Sequence, residues 1–248
     1  MVQLVRSYGS SRFGQIHVRK AQPRAPTGKA PLVCLHQSPK SGRDYESLLR
    51  HLGESRLCLA PDTPGYGASD APPSQPSIAD YGHAMLDFIT DQQAQKLMPD
   101  GPVDIMGYHT GSAIAAWLAR HHPNRIRRII LVSLPAFDEP TRTNILKNLG
   151  SFPTPEPDGS HIQKLWDLAD GLNDARHNAE WRSIAVGDAL QSGDRFAWGF
   201  HAVFSHDVIA DLQTLAQPVL LVCPQDDLRD QTLQYRDLLS NLTWLDLP

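Results

Sequence analysis

The chain has 248 residues, 41% of them hydrophobic and 20% charged, which is enough apolar material for one large core. Its formal net charge of −4 offers no basic surface to a polyanion, so nucleic acid is not expected as a partner. No apolar run reaches the ~20 residues a membrane span needs, and residues 1–6 lack the apolar stretch of a secretory leader; a cytoplasmic protein without a membrane partner is expected.

The 3 cysteines, Cys34, Cys58 and Cys223, each lie within an apolar, β-rich run. Their odd number argues against a closed disulfide framework and favours buried strand thiols. Neither Cys-x-x-Cys nor His-Glu-x-x-His spacing occurs, so no metal and no cofactor are expected.

In chain order, residues 2–6 and 15–19 read as strands separated by Ser- and Gly-rich turn material. Residues 31–35 are continuously apolar, the pattern of a strand buried on both faces. A helical period starts at Tyr45 and ends near Gly53, and residues 56–60 form the next strand. Residues 78–98 read as a long helix, with Ser77 as N-cap and Pro99 beyond its end. Residues 103–106 are a strand, 110–121 a helix with a small and apolar inner face, and 126–134, 219–223 and 243–247 further strands. This alternation predicts an α/β fold, a mostly parallel central sheet with helices on both faces. Ligands of such sheets bind beyond the carboxyl ends of the strands.

Residues 139–205 interrupt the alternation with Pro and Gly turns and helical pieces carrying Trp166, Trp181, Trp198, Phe200 and Phe204. They are read as a helical cap inserted into a core of residues 1–138 and 206–248, and their aromatics are expected to pack internally.

After the strand at 103–106 comes Gly107-Tyr108-His109-Thr110-Gly111-Ser112, which opens the next helix. Strand, Gly-x-Nuc-x-Gly, helix is the layout of a nucleophile elbow. The turn is tight enough to strain its middle residue, and the glycines remove side chains that would strike the neighbouring strand and helix. The helix N-terminus behind it supplies free N–H groups and a positive dipole.

With the elbow come three further motifs in order: His36-Gln37-Ser38-Pro39, Asp62-Thr63-Pro64-Gly65-Tyr66-Gly67-Ala68-Ser69, and Pro224-Gln225-Asp226-Asp227 after an apolar strand. Together they resemble the α/β-hydrolase superfamily over nearly the whole chain. The resemblance implies an oxyanion hole made by the backbone N–H groups of Ser38 and Thr110, and a triad acid at Asp227, with Asp226 a close competitor and Asp138 ranked below both. It implies a bracing role for His36, and places Gln37 and Tyr108 where they can contact substrate.

Three features depart from the family pattern. His109 stands where Ser, Cys or Asp is usual; an imidazole there can serve as general base or nucleophile, or the elbow has lost its chemistry. Thr110 and Ser112 do not replace it, because neither has glycines at both offsets. Gln37 replaces a glycine and either touches a substrate oxygen or points away. The family's catalytic histidine follows the last strand, whereas none of the 11 histidines lies beyond His206; either the natural protein continues past Pro248, or its final loop has been left out, or the histidine and its following helix are truly lacking, and one of the first two is expected. His51, His83, His121 and His122 read as helix-surface or helix-end residues.

The leading functional expectation is an enzyme that hydrolyses an ester or related acyl or carbonyl small molecule, with His109 and Asp227 as catalytic residues. The alternatives are a lyase or cofactor-free oxygenase on the same scaffold, in which His109 only moves a proton, and a catalytically silent protein that binds a small molecule. The fold is shared by all of them.

Overall fold

The computed structural model describes residues 2–150, 152–171, 178–236 and 241–247. The most apolar runs become the middle of the sheet, because only a strand covered on both faces buries every side chain. Strands β3 (Leu32–Leu35) and β4 (Cys58–Pro61) are buried throughout. Leu32 and Cys34 face one apolar cluster, with Tyr45, Leu49 and Cys58. Val33 and Leu35 face the other, with Met85, Phe88, Ile105 and Ile114. This two-residue alternation is the pleat, and each such fully buried side chain contributes about 1.5–3 kcal/mol of transfer free energy.

Around these lie β1 (Val5–Ser11), β2 (Gly14–Ala21), β5 (Val103–Tyr108), β6 (Ile126–Val132), β7 (Val219–Cys223) and β8 (Leu242–Asp246), in the order β1-β2-β4-β3-β5-β6-β7-β8. The β1–β2 and β2–β4 pairs are antiparallel; β4–β3–β5–β6–β7–β8 run parallel. Leu35 pairs with Gly107, Tyr108 with Val132, and Val132 with Val222. The run from His36 to Pro39, the elbow and the Asp226-Asp227 pair therefore all start from one row at the carboxyl edge.

Helices α1 (Glu46–Leu52), α2 (Ile78–Ala94) and α3 (Thr110–His121) flank the sheet. Ser77 caps α2 in a reciprocal capping box with Asp80. The helix stops four residues before the expected end because Lys96 takes φ 59° and the Leu97 and Met98 N–H groups turn back onto the Gln92 carbonyl. The first strand also differs from its sequence reading. The small polar run Ser7, Gly9, Ser10 and Ser11 is strand, not turn, pairing with β2 through Ser11 and Gly14. A Cβ on Gly9 would lie 2.6 Å from Gln92 Nε2 and 2.8 Å from Phe88 Cδ2, so β1 crosses α2 where only glycine fits.

Between β6 and β7 lie α4 (Glu139–Asn148), α5 (Ser160–Gly171), α6 (Ala179–Ser192), α7 (Trp198–Phe204) and α8 (Val208–Leu212). Leu165, Val186, Ala189, Phe196 and Ala197 form a separate small core there, with Trp166 and Phe200 against it. The end of this segment joins the main core through Ala202 and Val203. Helix α9 (Arg229–Leu233) follows β7. Cys34, Cys58 and Cys223 are free and buried. No described helix is long and apolar enough to cross a membrane.

Buried Asp62 ties the front of the sheet together. Its carboxylate accepts from His17 Nδ1 (2.9 Å), Arg19 Nη1 (2.9 Å), the Gly42 N–H (2.8 Å) and the Ala68 N–H (2.9 Å). Burial pushes its pKa up, but these hydrogen bonds and the nearby positive charge outweigh burial and hold it below the usual carboxylate value. A depressed folded pKa contributes stability above the unfolded value, and that contribution is lost as pH falls through the folded one. Asp62→Asn is therefore expected to cost about 3–5 kcal/mol at neutral pH. It should also flatten the loss of stability below about pH 4, as read from urea unfolding midpoints across pH.

Candidate active site

The elbow forms as its glycines require. His109 joins β5 to α3 with φ 48° and ψ −113°, a conformation costing about 1–3 kcal/mol for a side-chain-bearing residue. A Cβ on Gly107 would lie 2.1 Å from the Gly111 carbonyl oxygen, and one on Gly111 would lie 2.0 Å from that of Leu35. Buried Ser112 locks the turn, its hydroxyl 2.8 Å from the Gly107 carbonyl and 2.9 Å from that of Val132. It has no path to substrate. The His109 N–H donates to the Val132 carbonyl at 3.1 Å, so β6 holds the strained residue from the other side.

The imidazole meets a pair of carboxylates. His109 Nε2 lies 3.3 Å from Asp226 Oδ2 and 3.6 Å from Asp227 Oδ1. Asp226 is the better seated of the two. Its Oδ2 also accepts from the Tyr108 hydroxyl (3.3 Å) and the Ser133 hydroxyl, and its Oδ1 accepts from the Leu228 N–H (3.1 Å). Asp227, the acid that the spacing favours, is 48% exposed in its side chain, against 12% for Asp226. Asp138 is at the other task open to a loop carboxylate: it caps α4, accepting from the Thr141 N–H at 2.9 Å.

The electrostatics follow from these contacts. Burial raises the Asp226 pKa, but the hydrogen bonds from His109 and Ser133, the His109 charge and the Leu228 N–H together pull it below the usual value. Tyr108 moves up, through burial and the facing Asp226 and Asp227 carboxylates, so its phenol stays protonated and keeps donating. The Tyr108 ring also meets the imidazole edge-on, 4.5 Å between centroids at 82°. With an ionised Asp226 against Nε2, the neutral imidazole carries its proton there and its lone pair on Nδ1. Among the described residues no hydrogen bond engages Nδ1.

On the facing loop, Ser38 lies three residues past Leu35 and Thr110 three residues past Gly107, the paired positions of adjacent strands. Both residues are buried, and among the described residues neither N–H has a hydrogen-bond partner. His36 braces this loop: its Nε2 accepts from the Thr63 N–H (2.9 Å), so the proton sits on Nδ1 and goes to the Gln37 carbonyl (2.7 Å). Burial lowers its pKa and keeps it neutral. The Gln37 side chain faces Asp44. Above, α7 sits directly on the loop. A Cβ on Gly199 would lie 1.9 Å from Ser38 Oγ, and the Gly199 N–H donates to the Tyr66 hydroxyl at 2.7 Å. Two cap contacts reach the same loop: Lys40 Nζ over the Trp181 ring at 4.2 Å, and the Ser41 hydroxyl to Asp188 at 3.2 Å.

Other polar clusters stand apart from the elbow. His206 pairs with buried Asp211 at 2.6 Å, beside Arg120. A cavity of about 470 Å³ opens by His17, Arg19, Arg43, Asp62 and Asp188. Sequence reasoning missed Ser133, which takes φ 53° to aim its hydroxyl at Asp226; a serine after a strand carries no signal of that task. It also missed the convergence of His109, Asp226 and Asp227, whose ligand-type atoms all lie within 4.8 Å of one another.

A sequence profile of the alpha/beta hydrolase fold matches residues 30–245. Lipase LipV of Mycobacterium tuberculosis is 31% identical over 117 residues, 47% of this chain and 41% of that protein. The 2-hydroxymuconate semialdehyde hydrolase of Pseudomonas sp. strain CF600 is 26% identical over 145 residues, 56% of this chain and 47% of that one. The chain thus spans under half the length of these curated relatives. A hydrolase structure from Pseudomonas aeruginosa PA01 superposes with a TM-score of 0.76 at 17% identity, covering 98% of this chain and 90% of the other. The enol-lactonase of Burkholderia xenovorans LB400 does so at 0.74 and 16%, covering 97% and 91%.

Removing the Ser133 hydroxyl takes away one of the bonds that depress Asp226. Ser133→Ala is expected to raise the Asp226 pKa toward the ordinary carboxylate value while leaving the fold intact. Carboxyl-carbon NMR titration of the two proteins measures it, and an unmoved Asp226 resonance midpoint would refute the assignment.

Proposed function

Since the chain belongs to the alpha/beta hydrolase fold family, we propose that it hydrolyses an ester or related acyl small molecule, with His109 as general base and Asp226 as its orienting carboxylate. The observation that carries this reading is the 3.3 Å approach of His109 Nε2 to Asp226, which leaves Nδ1 as the basic nitrogen. In this family the elbow presents its side chain beside the oxyanion donors. The relatives named as a lipase and a semialdehyde hydrolase support the acyl and carbonyl substrate class.

The substrate enters between the cap and the carboxyl edge of the sheet. Its carbonyl oxygen accepts from the Ser38 and Thr110 N–H groups, a preorganised pair of which each donor is worth roughly 3–4 kcal/mol in the transition state. Nδ1 of His109 takes a proton from a water molecule whose oxygen attacks the carbonyl carbon. The imidazole becomes imidazolium, and Asp226, still accepting from Nε2, offsets the new charge. The tetrahedral intermediate then expels the alcohol oxygen, which takes the proton back from Nδ1. The products are acid and alcohol, and the enzyme is restored. Tyr108 and Ser133 act by holding Asp226.

His109→Ala is expected to abolish turnover of short acyl esters with the fold unchanged by circular dichroism. Asp226→Asn should lower kcat by about 10²–10⁴-fold, and Asp227→Asn by much less. Wild-type turnover in His109→Ala would sink the proposal. An acyl group trapped on His109 in mass spectra of enzyme quenched during slow-ester turnover would instead assign direct attack by Nδ1.

A further inference from the structure

We propose that His109, Asp226 and Asp227 form a seat for one divalent cation of the zinc class. The first argument is geometric. Metal–nitrogen and metal–oxygen bonds of about 2.0–2.2 Å in a tetrahedral shell place neighbouring donor atoms roughly 3.3–3.6 Å apart. The two His109 Nε2 contacts are 3.3 Å to Asp226 and 3.6 Å to Asp227. A charge-assisted N–H···O bond prefers about 2.7–2.9 Å. One imidazole nitrogen facing two carboxylate oxygens at these distances, long for a charge-assisted hydrogen bond, also matches two edges of a ligand polyhedron.

The second argument is charge. Two adjacent carboxylates converge on a single imidazole, and among the described residues no Lys or Arg is paired with either of them. Three buried carboxylates are ion-paired, Asp62 with Arg19, Asp104 with Arg56 and Arg127, and Asp211 with Arg120, and a fourth, Asp188, has the Lys40 charge nearby. A divalent ion at this site gives Asp226 and Asp227 a counter-charge. The third argument is support. Asp226 is oriented by Ser133, Tyr108 and the Leu228 N–H independently of His109, as outer partners orient metal-ligating carboxylates. Half-exposed Asp227 leaves an approach open on its side. With three protein donors, a fourth position is free for water.

A consequence rests on the hydrolase reading above. An imidazole has one lone pair when neutral, so coordination through Nε2 moves the ring proton to Nδ1. Nδ1 then has no lone pair to accept a proton from water. The cation therefore inhibits the metal-free reaction reversibly.

The test is a titration of Co²⁺ into chelator-treated full chain, followed by the visible absorption of four-coordinate cobalt. One equivalent is expected to saturate the signal, with Zn²⁺ displacing it. Asp227→Asn, at a half-exposed position, and His109→Ala should each weaken binding by at least about tenfold, with circular dichroism confirming that both are folded. Absence of saturable binding, or wild-type binding in folded His109→Ala, overturns the site. Ester turnover measured at each cobalt level separates the two proposals. Inhibition that tracks occupancy supports both. Saturated binding with full turnover overturns the general-base reading and leaves the cation site standing. Absence of turnover without metal counts against the hydrolase reading, and the absorption titration then decides the site by itself.

Discussion

The carboxyl edge of the sheet depends on how closely α3 approaches β3. A Cβ at Gly111 would sit 2.0 Å from the Leu35 carbonyl oxygen, so the first turn of α3 lies against the start of the loop after β3 with no space between. That contact sets the reach of His109, forces its left-handed backbone and brings the Thr110 N–H beside the loop that holds Ser38. A tight backbone approach of this kind fixes donors without side-chain freedom, which is what electrostatic preorganisation needs. Strain at His109 persists because Ser112, the Val132 carbonyl and both glycines constrain it together.

Placing an imidazole at the elbow changes which groups meet. A serine there is too short to reach across to the loop after β7 and relies on a histidine between them. The His109 ring spans that gap, so imidazole and carboxylate meet directly. The acid then needs its own supports, and it has them in Tyr108 from the elbow, Ser133 from the end of β6 and the Leu228 N–H from its own loop. Three neighbouring parallel strands each contribute one partner.

Much of this was legible in the sequence, because each motif directly follows an apolar run and the runs define the sheet. The helix at Thr110–His121 has the limits its pattern predicts. Where the reading slipped, tertiary contact decided. Ser7 to Ser11 look like a turn by composition, yet α2 packs beneath them and β2 supplies their hydrogen bonds. Lys96 ends α2 through a backbone conformation its identity does not announce. The choice between Asp226 and Asp227 turns on one residue of loop geometry, below what spacing resolves. The meeting of His109 and Asp226 joins residues 117 positions apart, which no short-range spacing pattern registers.

The seat of Gly199 on Ser38 bears on how such proteins are recombined. Helix α7 touches the Ser38 loop itself, and Tyr66 bonds to both Gly199 and the Arg195 carbonyl. The segment between β6 and β7 is therefore not a module that can be exchanged at its outer ends with the rest left untouched. A chimera carrying a foreign cap with any larger residue at position 199 would displace Ser38, and one cut between residues 195 and 199 would divide the Tyr66 clasp. A graft that leaves α7 and the stretch from Arg195 to Gly199 native keeps both contacts.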